Sequence, residues 1–292
     1  MHLQFRKYLV ELRHTPETIE SYVHSIRRCL ADNPSLERFT YGDVVEYLNR
    51  LARQGSTNNT RTSLLYSMKK YFDFLIDSGK IENHPCRGLF IRNQRDTCVI
   101  GSDLFTASEL EVLLEREERY SMLALRNRVV VSLLIYQGLH SREICNLDLD
   151  HVDMDKGVIF VKSTSKVNQR HLEIESKQYR LFAQYLETSR KKLNLYDSKA
   201  FLLGKLGARI KTEDIHYLIS TFKNVFPNRK LAPATIRQSV IANWLNKSKI
   251  PLEQVQLLSG QKWTSTTARY KLLDMEEQRK LMNLYYPLND ME

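Results

Sequence analysis

The sequence predicts a mainly α-helical protein with one small antiparallel β-sheet, divided into an N-terminal helical domain and a larger C-terminal domain. Two observations carry that expectation. Apolar residues recur at helical spacing through most of the chain, and period-two apolar runs are confined to the stretch between residues 149 and 174. A charge-rich stretch with Gly101-Ser102-Asp103 at its end separates the two regions. At 292 residues the chain has room for two domains, each able to bury a core. The expected boundaries are 1–92, a linker over 93–104, and 105–292.

In the first domain, Thr15 followed by Pro16 marks a helix start, a hydroxyl N-cap with proline at the first helical position. Ile19, Tyr22, Val23, Ile26 and Leu30 then fall on one face. Thr40 to Leu51 carries a second stripe, Val44, Val45, Leu48 and Leu51. A third helix is expected from about Thr60, with Leu64, Leu65, Met68, Tyr71, Phe72 and Leu75 inward, stopping before Gly79. These stripes are core.

In the second domain, Thr106-Ala107-Ser108-Glu109 is a capping box that opens a helix, because Thr and Glu three apart satisfy each other's orphan backbone donors. Leu125 to Tyr136 is apolar all round, which places it at the domain's buried centre, and Gly138 ends it. A short helix over Ser141 to Leu147 precedes the sheet. Its strands are expected at Leu149–Met154, Val158–Val161 and Arg170–Ile174, joined by the turns Asp155-Lys156-Gly157 and Ser163 to Asn168. From Lys177 onward the chain reads helical apart from loops near Gly204, Gly207 and Pro227. Internal repeats and low-complexity tracts are absent.

A formal charge of +10 and a pI near 9.3 favour a polyanionic partner. Arg50, Arg53, Arg61, Lys69 and Lys70 lie in a stretch without an acidic residue, beside the loop Gln54 to Arg61, whose small polar residues suit phosphate contact. They are the candidate contacts for that polyanion. Cys29, Cys86, Cys98 and Cys145 have no metal-ligand spacing and read as free thiols in a reducing compartment. The N-terminus lacks the apolar run of a signal peptide, and no apolar stretch approaches the roughly 20 residues that cross a bilayer. The expectation is a cytoplasmic protein with no membrane partner, metal or cofactor.

The richest segment runs Leu257-Leu258-Ser259-Gly260-Gln261-Lys262-Trp263-Thr264-Ser265-Thr266-Thr267-Ala268-Arg269-Tyr270. Upstream stand Ala234-Thr235-Ile236-Arg237-Gln238-Ser239, the turn Lys162 to Arg170 with Lys166 within it, and Gly138-Leu139-His140-Ser141-Arg142-Glu143-Ile144. Together they resemble the motif set of the tyrosine recombinases, the phage integrases. In that family a histidine is followed nine residues later by the nucleophilic tyrosine, and Gln261 and Tyr270 hold that spacing here.

The resemblance implies an N-terminal core-binding domain and a catalytic domain that together clamp duplex DNA. It also implies self-association, dimer to tetramer, on DNA. Strands would be cleaved and rejoined through a 3′-phosphotyrosine, as in site-specific recombination, integration and the movement of mobile elements. Tyr270 would be the nucleophile and Arg237 a phosphate clamp, since a guanidinium fork matches phosphate oxygens and stays charged. Lys166, with Lys162 as a substitute, would protonate the leaving 5′-oxygen.

Three positions depart from the family pattern. His140 stands where the first arginine is usual, with Arg142 two residues on and Glu143 as the family's acidic residue. Ala234 replaces a histidine or lysine. Gln261, which can donate a hydrogen bond but carry no charge, replaces a histidine or tryptophan. Two functions therefore stay open: a strand-exchange enzyme, or a catalytically silent relative serving as a sequence-specific DNA-binding regulator.

Overall fold

The computed structural model describes residues 2–92, 104–115, 120–164 and 167–271. They form two compact units, residues 1–95 and 96–292. The first is a bundle of α1 (His2–Glu11), α2 (Pro16–Asp32), α3 (Tyr41–Arg53) and α4 (Asn58–Asp77). The expected stripes turn inward. Ile19, Val23 and Ile26 of α2, Val44, Leu48 and Leu51 of α3, and Leu65, Met68, Tyr71, Phe72 and Leu75 of α4 are buried together. Thr15 and Thr57 accept hydrogen bonds from the backbone N–H groups of Thr18 and Thr60 (3.4 and 3.2 Å), and Thr40 and Asp43 close a capping box.

Helix α1 has no counterpart among the helices expected from the sequence. Among its described residues, the buried apolar side chains are Phe5 and Leu9, one turn apart, a stripe too short to register as a period. It is held by tertiary packing: the Phe5 ring meets Tyr71 edge-on at 5.3 Å and Phe74 at 5.6 Å.

The second unit is built around α6 (Ser121–Tyr136), in which Val129 to Ile135 are all buried. The capping box of Thr106 and Glu109 opens α5 (Ala107–Glu111), a single turn that tightens into a 3-10 turn at Val112–Leu114. Gly138 leaves α6 at φ 58°, and α7 (Ser141–Cys145) follows.

The three-stranded antiparallel sheet has the order β1 (Val152–Asp153), β2 (Val158–Val161), β3 (Arg170–Glu173). Ile159 pairs with Leu172 and Val161 with Arg170, so the inward face of β2 joins the core. The first strand is shorter than expected. Leu149–His151 forms a 3-10 turn because His151 Nδ1 accepts the Asp148 N–H at 3.0 Å, which draws the backbone into a turn.

Helix α8 (Ser176–Gln184) runs through a π-helical turn at Tyr185–Arg190 into α9 (Lys191–Leu193). After α10 (Thr212–Ser220) come α11 (Pro233–Asn246), α12 (Leu252–Ser259) and α13 (Thr264–Ala268). Helix α11 packs on α6, and α12 packs on both α11 and β3. Cys29, Cys86 and Cys145 are buried free thiols. Among the described residues, no helix is long and apolar enough to cross a membrane. Most of the expected linker, Cys98 and the tail beyond Lys271 lie outside the described residues.

Candidate active site

Helix α11 supplies Arg237, and its guanidinium is buried at 4 % exposure. One Nη donates to the Gly138 carbonyl and the other to the Ser259 carbonyl at 2.6 Å. These carbonyls close α6 and α12, so a single side chain ties together the ends of two elements. Glu143 Oε2 lies 3.9 Å away. Glu143 is itself gripped bidentately by Arg170 of β3, at 2.8 and 3.0 Å, and accepts the His140 N–H at 2.9 Å.

Two buried guanidiniums thus share one carboxylate, and this cluster of three holds one positive charge in excess. Burial pulls the Arg237 pKa down to about 10, opposed by Glu143, so the group is still charged in the neutral range. Burial would raise the Glu143 carboxyl. The hydrogen bonds from Arg170 and the charges of Arg170 and Arg237 outweigh it and hold Glu143 below the ordinary carboxylate range.

Tyr270 stands two residues beyond the end of α13. It is half-buried, and its phenol is near enough to Arg237 to act on it electrostatically. Its backbone is fixed at both ends, the N–H donating to Thr267 O at 3.0 Å and the carbonyl accepting from Asn246 Nδ2 at 2.9 Å. Arg237 and Asn246 both stand on α11, so one helix aligns the buried cation and the tyrosine. Gln261 is half-buried beside them. It pairs with Val167 across an isolated bridge, while Asn168 N–H donates to Gly260 O at 2.8 Å. Gly260 is at φ 69°, and a Cβ there would sit 2.5 Å from Arg170 Nη1, so the hairpin and the α12 terminus can meet this closely only at glycine.

Of the expected site residues, Tyr270, Arg237 and Gln261 are brought together. Lys166 lies outside the described residues; its neighbour Val167 is the residue bridged to Gln261. Lys162 is exposed at the end of β2. His140 and Arg142 are exposed on either side of buried Ser141, and α7 turns Glu143 inward while Arg142 faces solvent. Ala234 is exposed in the first turn of α11. Arg170, Asn246 and Thr267 are the residues that sequence reasoning missed. Arg170 carried a signal as the last basic residue of the hairpin turn; Asn246 carried none.

The basic residues of the first unit do not share one face. Arg50 and Arg53 are exposed on the last turn of α3, Arg50 lying 5.0 Å over the Tyr47 ring. Arg61 is half-buried and donates to Leu48 O and Asn58 Oδ1. Lys69 lies 6.0 Å over the Tyr66 ring, and Lys70 forms an ion pair with Asp73 at 3.1 Å. Arg61 and Lys70 are about 180° apart around α4, which a run in sequence conceals. Beside Arg28 and His24, a groove of about 420 Å³ opens between α2 and the start of α4, edged by Asn59, Thr60 and Ser63.

Asp148, Asp150 and His151 approach one another, yet they make a poor metal site. Asp148 is paired with Arg209, and His151 Nδ1 accepts a backbone N–H, which leaves the proton on Nε2.

Residues 103–277 match the phage integrase family model, and residues 3–79 match the model for the N-terminal SAM-like domain of phage integrases. The chain is 26% identical to the tyrosine recombinase XerC of Halalkalibacterium halodurans, over 97% of this chain and 96% of that protein. It is 24% identical to XerC of Salmonella typhi, over 97% and 94%. Among solved structures, XerH site-specific recombinase bound to palindromic difH substrate in a post-cleavage complex superposes with a TM-score of 0.70. That match has 15% identity and covers 92% of this chain and 80% of that one. A lambda integrase dimer bound to a COC′ core site superposes at 0.66 with 14% identity, covering 94% and 96%. The structural likenesses establish a common fold.

Proposed function

The chain belongs to the phage integrase family, and on that premise we propose that it is a site-specific DNA recombinase working through a 3′-phosphotyrosine on Tyr270. The observation that carries this reading is the buried cluster of Arg237, Arg170 and Glu143, with its excess positive charge beside a tyrosine of fixed backbone. Such a site attracts one anion and offers it one nucleophile. The Tyr270 phenolic oxygen attacks phosphorus, the 3′-phosphotyrosine bond forms, and the bond to the 5′-oxygen breaks. Among the described residues, Arg237 spends one N–H of each Nη on a carbonyl, and its remaining N–H groups would serve the non-bridging oxygens, where charge builds up in the transition state.

The Gln261 amide adds a neutral donor, and Lys166 protonates the leaving 5′-oxygen to a hydroxyl, while the phenol gives up its proton to solvent, so protons balance. One phosphodiester replaces another, so rejoining is the same step run backwards and no external energy source enters. Duplex DNA is the partner, bound by both domains (1–92 and 105–292, joined through 93–104) and by two to four copies of the chain. The compartment that follows is the cytoplasm.

The test uses duplexes that the protein itself selects from a random-sequence library, nicked so that the cleaved end diffuses away. A recombinase accumulates a covalent protein–DNA adduct on them. Tight binding with no adduct would favour the silent regulator, the reading to which His140, Ala234 and Gln261 point.

A further inference from the structure

We propose that Thr267 is a positioning residue: its hydroxyl fixes the Gln261 side chain so that the amide nitrogen, a donor, is turned toward the scissile phosphate. This inference deepens the recombinase reading of the site and rests on it. Thr267 Oγ1 donates to Gln261 Oε1 at 2.6 Å, and Thr267 is fully buried. A primary amide has one acceptor end and one donor end on opposite sides of its carbon. With Oε1 occupied by the hydroxyl, Nε2 is turned away from Thr267.

The backbone of Gln261 is held independently. Its carbonyl accepts from Gln256 Nε2 at 3.2 Å, and the residue is bridged to Val167. The side chain alone is left to be aimed, and Thr267 aims it. The same threonine accepts the Tyr270 N–H on its own carbonyl, so one buried residue sets the relation between the neutral donor and the nucleophile. A glutamine can stand where a charged or aromatic donor is usual only if its weaker hydrogen bond is preorganised, since a donor that must first be oriented loses entropy in the transition state.

Two measurements test this. The first is the single-turnover rate of adduct formation on the nicked, library-selected duplex, alongside affinity for the same DNA. Thr267→Val should slow adduct formation about tenfold at unchanged affinity, the size of one well-placed hydrogen bond, and Thr267→Ser should restore most of it. In a Gln261→Ala background, Thr267→Val should cost nothing more, because nothing remains to be aimed. An unslowed Thr267→Val overturns the proposal. So does a full tenfold loss persisting in the Gln261→Ala background, which would place the effect on the backbone of Tyr270.

The second measurement needs no DNA. In protein labelled with ¹⁵N at glutamine, the side-chain amide of Gln261 is identified by its loss in Gln261→Ala. Its two protons should be well dispersed in the wild type and collapse toward free-glutamine positions in Thr267→Val. An unchanged pair of signals overturns the proposal even if no adduct ever forms. An adduct-free wild type with a collapsing pair overturns only the recombinase reading.

Discussion

At the scale of single residues, Arg237 does two jobs, and they can be separated. It tethers the carbonyls of Gly138 and Ser259 and also presents charge beside Tyr270. A lysine keeps the charge and loses the fork. Arg237→Lys should therefore lower the single-turnover cleavage rate by about a hundredfold or more, with DNA affinity within a few fold of wild type. An equal loss in affinity would mean that the fork serves binding and not the transition state. The departure at His140 sets a second comparison. Arg142→Ala should slow cleavage more than His140→Ala, since a guanidinium fork offers paired donors to one phosphate and an imidazole offers a single N–H to it. The reverse order would assign the missing arginine's task to His140.

At the scale of elements, the start of the second domain is stapled by charge. Arg229 donates to Leu104 O, pairs with Glu109 and lies 4.4 Å over the Phe105 ring. The hydrogen bond from Arg229, with help from the Thr106 N–H, depresses the Glu109 carboxyl from 4.5 to about 2. A depressed carboxyl stabilises the fold above its unfolded pKa, and that contribution is lost as pH falls toward the folded value. Glu109→Gln should thus destabilise the protein at pH 7 in urea unfolding. The gap to wild type should close between about pH 4.5 and 2. A gap independent of pH would leave Glu109 a capping residue with no ionic role.

This element was half legible in the sequence. Thr106 and Glu109 announce themselves because a capping box is local, whereas Arg229 joins them from 120 residues away. The same division runs through the site. Tyr270, Gln261 and Arg237 stand in short motifs with fixed spacing. The Arg170–Glu143 pair, Asn246 under Tyr270 and Thr267 against Gln261 depend on how hairpin, helix and turn meet, which periodicity does not encode. Helix α1 escaped for a related reason: Phe5 and Leu9 make sense only against Tyr71 and Phe74.

At the scale of the whole molecule, the +10 charge is spread over both units, and its distribution decides how binding responds to salt. Each phosphate that a variant no longer neutralises should flatten the plot of log affinity against log salt by about one unit. Replacing Arg50 and Arg53 together by alanine should therefore flatten it by about two units. Lys70→Ala should change it little, because that ammonium is already paired with Asp73. An unaltered slope for the double variant would remove the end of α3 from the DNA interface. The most direct measurement concerns the bond between protein and DNA. The covalent complex formed on a nicked, self-selected duplex is trimmed with nuclease and protease, and the modified residue is located by mass spectrometry. The expected result is a 3′-nucleotide on the phenolic oxygen of Tyr270, with no adduct from Tyr270→Phe at undiminished DNA affinity. A nucleotide on any other side chain, or tight binding without a covalent bond, would contradict it.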